Sequence, residues 1–370
     1  MLRPGHGLML LTAALLSVGV IMVNSAGLTV GAAEPVSLTD ILLGRTAILA
    51  ALALAVMFLA SRVSVERLYR AASAGLVPWM ILGMLLLLLA VHLPVIGREV
   101  NGARRWMNLG PLSFQPSEVA KWSMIVVLAW YAARHVLVMG ELNRGFVRPM
   151  LLVGLVCALI ATEDLGTAML VGAVSVCLLV AAGARLGYTA LLAGPAAAGL
   201  AVAVLSNPYR LDRLRAFVDP WQDPQGIGYH VIQSMVTVAG GGVAGRGLGN
   251  SVRKFGYLPQ DTSDFIFAII SEELGLMGVI AVVCLFGAVL LCGLSILERV
   301  EHPFGRLLGL GILLTIGLQA LINMMVVTGL VPTKGIALPL ISAGGTGWVM
   351  TALGVGLLVA MDRPTVREPA

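Results

Sequence analysis

The chain runs to 370 residues, of which 58% are hydrophobic and only 12% charged, with 44 glycines and a formal net charge of +5. No soluble core could hide that much apolar surface, so the composition excludes a soluble globular protein and predicts an integral membrane protein. A small positive excess is what basic cytoplasmic loops leave behind, and it does not point to nucleic acid.

A span needs about 20 apolar residues. On that rule the chain divides into about ten helices, near 7–23, 41–60, 76–94, 116–134, 148–162, 167–184, 187–205, 264–293, 304–327 and 338–360. The expected fold is all-α, one polytopic membrane domain over 1–370 with a large extracytoplasmic loop at 206–263 between spans 7 and 8. The first apolar run has Arg3 in front and no convincing small-residue cleavage site before Glu34, so it reads as a retained span and not as a signal peptide.

Short connections carrying Arg62, Arg67 and Arg70, then Arg134, Arg144 and Arg148, then Arg185, then Arg299 and Arg306, are assigned to the cytoplasm. The even span count places both termini there too. Two outer connections run against this bias: 95–115 carries Arg98, Arg104 and Arg105, and 206–263 carries Arg210, Arg213, Arg215, Arg246, Arg253 and Lys254. A connection as long as 206–263 is more than a link. Basic residues on the disfavoured side need a reason, and an anionic ligand supplies one.

The stretch Gly245 to Glu273 joins a Gly-punctuated polar segment to Asp264, where a long apolar helix begins. At 1.5 Å per residue that helix measures roughly 45 Å against a hydrocarbon core of about 30 Å. Its first turns therefore protrude or line a wet cavity, which puts Asp264, Glu272 and Glu273 at the outer boundary. Ionisable groups at such a boundary are functional candidates by default. For Asp264 alone, a helix start that favours negative charge is the plainer alternative.

Most other unusual polar residues map to the same side. Glu118 and Lys121 are three apart on the fourth span and share a face, which also suits a structural ion pair. Together Arg45, Arg104, Arg105, Lys121, Asp164, Arg210, Lys254, Asp264 and Lys334 describe a basic cavity holding isolated carboxylates. Arginine presents a planar fork of donors to phosphate oxygens, so the cavity suits a diphosphate-linked substrate. A carboxylate within it could take a proton from an attacking hydroxyl. A transporter of a polyprenyl-diphosphate lipid would want similar charges, though reachable from both sides and near the midplane.

Other motifs carry less. Arg210, Arg213 and Leu214 are spaced as on a short amphipathic helix lying on the membrane surface, and an ordinary structured loop is an equal reading. The glycines at 240–249 follow no strand and lack the Gly-Lys-Ser/Thr ending of a phosphate-binding loop. Ala343 to Gly347 reads as close helix packing or a local helix break. The four cysteines lie in apolar runs without ligand spacing, and the five histidines are scattered, so neither a metal site nor a cofactor motif is expected.

Several longer runs resemble the SEDS family, the polytopic proteins typified by FtsW, RodA and SpoVE. They are VNGARRWMNLGPLSFQPSEVAK from Val100, EDLGT from Glu163, the stretch Asn207 to Gly228, GLGNSVRKFGYLPQDTSDFIFAIISEELG from Gly247, and GLVPTKGIALPLISAGG from Gly329. They occur in family order along nearly the whole chain, and the Gly-Asn-Ser, Lys254 and Tyr257-Leu258-Pro259 pattern is most similar to the division members. The resemblance implies a peptidoglycan glycosyltransferase of the bacterial cytoplasmic membrane, polymerising lipid II on its outer face beside a class B penicillin-binding protein. It implies Asp264 as the general base. It also implies roles in diphosphate and sugar binding for Arg45, Arg104, Arg105, Glu118, Lys121 and Asp164, with Lys334 in the matching PTKG motif. Three departures stand out: Thr262-Ser263 replaces the family's His-Thr, Glu163 stands where Pro is frequent, and Ser342 to Thr346 reads SAGGT for SYGGS.

Overall fold

A computed structural model describes residues 3–27, 38–93, 96–100, 103–109, 112–251 and 262–363. The described residues are mostly helical. In order come α1 (Pro4–Ala26), α2 (Leu38–Leu43), α3 (Arg45–Ala60), α4 (Val65–Ala71), which runs through a π-helical turn into α5 (Val77–Ala90), α6 (Pro116–Arg134), α7 (Arg148–Ala161), α8 (Leu165–Ala181) and α9 (Leu186–Leu205). The second half holds α10 (Pro208–Val218), α11 (Tyr229–Gly240), α12 (Ile266–Leu297), α13 (Pro303–Val327) and α14 (Gly345–Met361). Pro at the first turn starts α1, α5, α6, α7, α10 and α13, where a missing N–H costs nothing.

Among the described residues, six helical stretches are long and apolar enough to cross a membrane: Pro4–Ala26, Val65–Ala90, Leu142–Ala161, Leu186–Leu205, Ile266–Leu297 and Pro303–Val327. Shorter apolar helices at Arg45–Ala60, Leu165–Ala181 and Gly345–Met361 accompany them. α14 lies along α3 and α1 along α12, while α13 touches α6, α8 and α12. Small residues permit the close approaches: a Cβ at Gly356 of α14 would stand 2.4 Å from the Met57 carbonyl oxygen of α3.

Three features differ from the sequence expectation. The connection after α5 folds as an antiparallel sheet, β1 (Gly97–Val100), β2 (Ala103–Leu109) and β3 (Leu112–Phe114), with β2 in the middle. In the segment 206–263, α10 takes up the amphipathic-helix reading of Arg210, Arg213 and Leu214, while α11 has no counterpart in the sequence expectation. The last helix starts at Gly345, because residues 338–344 make a turn closed by Leu338 N donating to Ser342 Oγ at 2.7 Å, with Leu340 at φ 62°.

α12 is broken at Gly275, whose φ of 64° and ψ of −160° suit glycine alone. A helix break frees carbonyls, and freed buried carbonyls need donors. The glycine-rich segment supplies them: Arg246 N donates to Glu272 O and Gly247 N to Glu273 O, each at 2.9 Å. The two glutamates are buried, 1% exposed each. Ser25 Oγ of α1 donates to the Glu273 carboxylate at 2.7 Å, and Arg246 pairs with Glu272 at 3.4 Å. The stub Ile266 to Glu273 is thereby locked inside the protein as a pedestal, with Asp264 just ahead of it.

Candidate active site

Asp264 lies in the turn before α12, outside the apolar span, and two polar side chains and one backbone N–H from other elements hold that turn. Asn323 of α13 donates to the Asp264 carbonyl at 2.8 Å and to the Ile336 carbonyl at 2.7 Å. Ala343 N donates to Thr262 O at 2.8 Å, and Ser342 Oγ donates to Ser263 O at 2.5 Å. One helical turn earlier on α13, Gln319 donates to Ala337 O at 2.9 Å. The segment 336–343 is thus stitched to both α13 and the Asp264 turn.

The carboxyl group faces a cavity of about 540 Å³, a volume ordinary for a small-molecule site. Arg105, Glu118, Asp164, Arg213, His230 and Gln319 line it with Asp264, as do the aromatic rings of Trp106, Tyr209, Phe265 and Trp348. Burial, and then the charge of Asp164, push the Asp264 pKa up from 3.8 to about 6, against the opposing pull of Arg213 and Arg105. His230, at the start of α11, stacks on Phe265 with ring centroids 6.4 Å apart. Burial and then Arg213 lower its pKa and favour neutral imidazole. With Thr262-Ser263 ahead of Asp264, the imidazole in this wall comes from α11.

Arg105 is carried on β2, and its Nε donates to the Glu163 carbonyl at 2.7 Å. The Glu163 side chain accepts from Arg104 N at 2.7 Å, so this departure from the family pattern clamps β2 to the α7–α8 turn. Asp164 caps α8, accepting from Thr167 N at 3.0 Å and Thr167 Oγ1 at 2.9 Å. Lys121 is 3% exposed, and its Nζ donates at 2.8 Å to both Glu118 Oε1 and Gln319 Oε1.

Of the residues singled out from sequence, the cavity gathers Asp264, Arg105, Glu118 and Asp164, with Lys121 directly behind Glu118. Arg45 opens α3 as an exposed residue, and Arg104 turns its guanidinium toward the His92 carbonyl at 3.5 Å. Lys334 Nζ approaches Met169 Sδ at 2.7 Å. Burial lowers its pKa, with Asp164 opposing. Arg210 donates to the Ala161, Thr162 and Ala203 carbonyls, tying α10 to α7 and α9. Lys254 lies outside the described residues. Among the described residues, no cluster of three or more His, Cys, Asp or Glu is placed to hold a metal ion.

Sequence reasoning put Arg213, one helical turn from Arg210, on an amphipathic surface helix and left it out of the cavity it lines. Its guanidinium lies 4.5 Å from the Tyr209 ring centroid and donates to Thr333 O at 3.3 Å, which turns it to the cavity wall. It also passed over Gln319 and Asn323. Thr315, Gln319 and Asn323 recur every four residues along an otherwise apolar helix, and that spacing is a readable signal.

The family described as cell cycle protein, FtsW/RodA/SpoVE, matches residues 6–366. The probable peptidoglycan glycosyltransferase FtsW of Thioalkalivibrio sulfidiphilus is 43% identical, covering 99% of this chain and 91% of that protein. The protein of the same name from Geobacter metallireducens is 38% identical, covering 95% of this chain and 92% of its own. A chain of the structure described as "Structural coordination of polymerization and crosslinking by a peptidoglycan synthase complex" superposes with a TM-score of 0.74 at 30% identity, over 98% of each chain. The crystal structure of Thermus thermophilus rod shape determining protein RodA superposes with a TM-score of 0.67 at 27% identity, over 98% of this chain and 97% of that one.

Proposed function

This chain belongs to the FtsW/RodA/SpoVE family and is a membrane-embedded peptidoglycan glycosyltransferase, and we propose that it polymerises lipid II with Asp264 as its base. The observation that carries the proposal is the setting of Asp264: a carboxyl group with a raised proton affinity, on a rigid pedestal, in a cavity it shares with Arg105 and Arg213. A base works best when its pKa lies near the working pH.

In the proposed step, the 4-hydroxyl oxygen of the acceptor sugar bonds to the anomeric carbon of the donor, and its proton passes to the Asp264 carboxylate. The bond from that carbon to the diphosphate breaks, and undecaprenyl diphosphate leaves with the electron pair. Arg105 and Arg213 keep guanidinium donors for the growing negative charge, since each spends few on protein partners. The donor sugar arrives already activated, so the reaction calls for no organic cofactor. Arg45, Arg104, Lys254 and Lys334 are kept in this reading as the basic surround of a diphosphate lipid, and Arg210 as the brace that holds α10 beside it.

The same reading extends to topology and partners. Ten spans in one polytopic domain, both termini in the cytoplasm, and 206–263 with α10 and α11 on the outer face of the bacterial cytoplasmic membrane fit the basic short loops. The polymerising and crosslinking complex that the chain resembles supports a class B penicillin-binding protein as partner, and the named relatives support septal wall synthesis in division. Purified protein in vesicles should convert labelled lipid II to glycan polymer. Lipid II crossing the bilayer without polymer would favour a transporter in its place.

A further inference from the structure

Arg105 sits at a slip in the β1–β2 ladder. Gly97 faces Met107 and Arg98 faces Trp106, but Glu99 faces Arg104, so Arg105 is the residue skipped in the pairing. A bulge of this kind bends its strand, re-aims a side chain and disturbs the ladder around it. A backbone N–H withdrawn from the ladder needs another acceptor.

Glu163, in the α7–α8 turn, is that acceptor. Its Oε2 accepts from Arg104 N at 2.7 Å, beside the slip, and its backbone carbonyl accepts from Arg105 Nε at 2.7 Å. One residue thus holds the strand by its side chain and the guanidinium by its main chain. His92, just past α5, closes the cluster from a third element. Its Nδ1 stands 3.7 Å from Glu163 Oε1, and its carbonyl accepts from Arg104 Nη1 at 3.5 Å. With Nε spent on Glu163, a terminal nitrogen of Arg105 reaches the cavity wall at Gly335, 3.3 Å from where a methyl group there would stand. A guanidinium held at Nε is already oriented, so it loses less freedom on meeting phosphate oxygens. Proline, frequent at this position in the family pattern, offers the carbonyl without the carboxylate, so the grip on Arg104 belongs to the glutamate of this chain.

We propose that Glu163 is a positioning residue for Arg105: its carboxylate pins the bulge of β2 so that its own carbonyl holds the guanidinium toward the diphosphate of the substrate. The role rests on the glycosyltransferase reading for its ligand. By charge alone a carboxylate next to Asp164, which lines the cavity, opposes a bound anion. Positioning and charge therefore predict opposite signs when the side chain is removed.

The test measures binding of undecaprenyl diphosphate, the leaving group with its charge fully developed, to full-length protein in lipid nanodiscs. Glu163→Ala should weaken binding about tenfold, the scale of one hydrogen bond to a charged group. Glu163→Gln drops the charge and keeps an acceptor, and should stay within about threefold of wild type. Arg105→Gln should weaken binding at least as far as Glu163→Ala. Adding Glu163→Ala to Arg105→Gln should then cost less than about twofold, because a residue that acts through another loses its effect with it. Losses that multiply, a Glu163→Ala variant that binds as tightly as wild type or tighter, or a Glu163→Gln variant as weak as the alanine one would overturn the assignment. If Glu163→Ala does not fold, Glu163→Leu, which keeps most of the side-chain volume and has no acceptor, takes its place in the cycle. Wild-type protein that bound undecaprenyl diphosphate but made no polymer from lipid II would remove the lipid II reading instead, and the binding cycle would still decide the role of Glu163.

Discussion

Gly335 gives Asp264 its room: a methyl group at Gly335 would stand 3.0 Å from Asp264 Oδ2 and 3.3 Å from a terminal guanidinium nitrogen of Arg105. Base and cation thus converge on one backbone position. Gly335→Ala should lower kcat/KM on the order of 10²-fold, the scale of misplacing one catalytic group, with a melting temperature close to wild type. Unchanged turnover in that variant would show that Asp264 and Arg105 need not meet there.

The raised Asp264 pKa fixes the sign of the pH response. A base must be ionised, so kcat/KM should climb with pH through about 6 and level off above it. Asp164→Asn keeps the α8 cap and removes the like charge that helps hold the proton on Asp264. Its rising limb should move to lower pH, as a pH–rate profile would read directly.

Arg210 and Arg213, one turn apart on α10, should separate into stability and activity. Arg210→Gln strips three backbone carbonyls of a charged donor and should lower the melting temperature with little change in KM. Arg213→Gln should do the reverse, raising KM and lowering kcat on the order of 10²-fold together. Thermal melts beside steady-state kinetics check both.

Carboxylate burial at Asp264 should also be visible in stability. The folded-state pKa lies above the unfolded 3.8, so its stabilising contribution is complete below about 4 and lost as pH rises through about 6. Asp264→Asn should therefore melt above wild type at pH 7.5, with the gap closing at pH 4. That gain comes at the expense of the base itself.

Much of this was legible beforehand because membrane spans announce themselves by apolar length. Each expected helical segment, from 7–23 to 338–360, contains a helix. The pairing of Lys121 with Glu118 followed from their spacing. What stayed hidden depended on non-local contacts. The sheet at 97–114 has a hairpin signal in Asn101-Gly102, but a search for long apolar runs passes over it. Arg213 and Arg210 look alike in sequence, and only the fold turns one to the cavity and the other to helix-end carbonyls. Glu272 and Glu273 read as boundary charges, whereas they secure the break at Gly275, a role that needs Ser25 of α1 and Arg246 to be seen beside them.

The most direct measurement is polymerisation of labelled lipid II by purified wild-type protein and by Asp264→Asn, with both shown to be folded and to bind lipid II equally. Wild type should lengthen glycan chains, and the variant should bind substrate while losing on the order of 10²- to 10⁴-fold in rate. Polymer made equally fast by Asp264→Asn would contradict the assignment of Asp264 as the base.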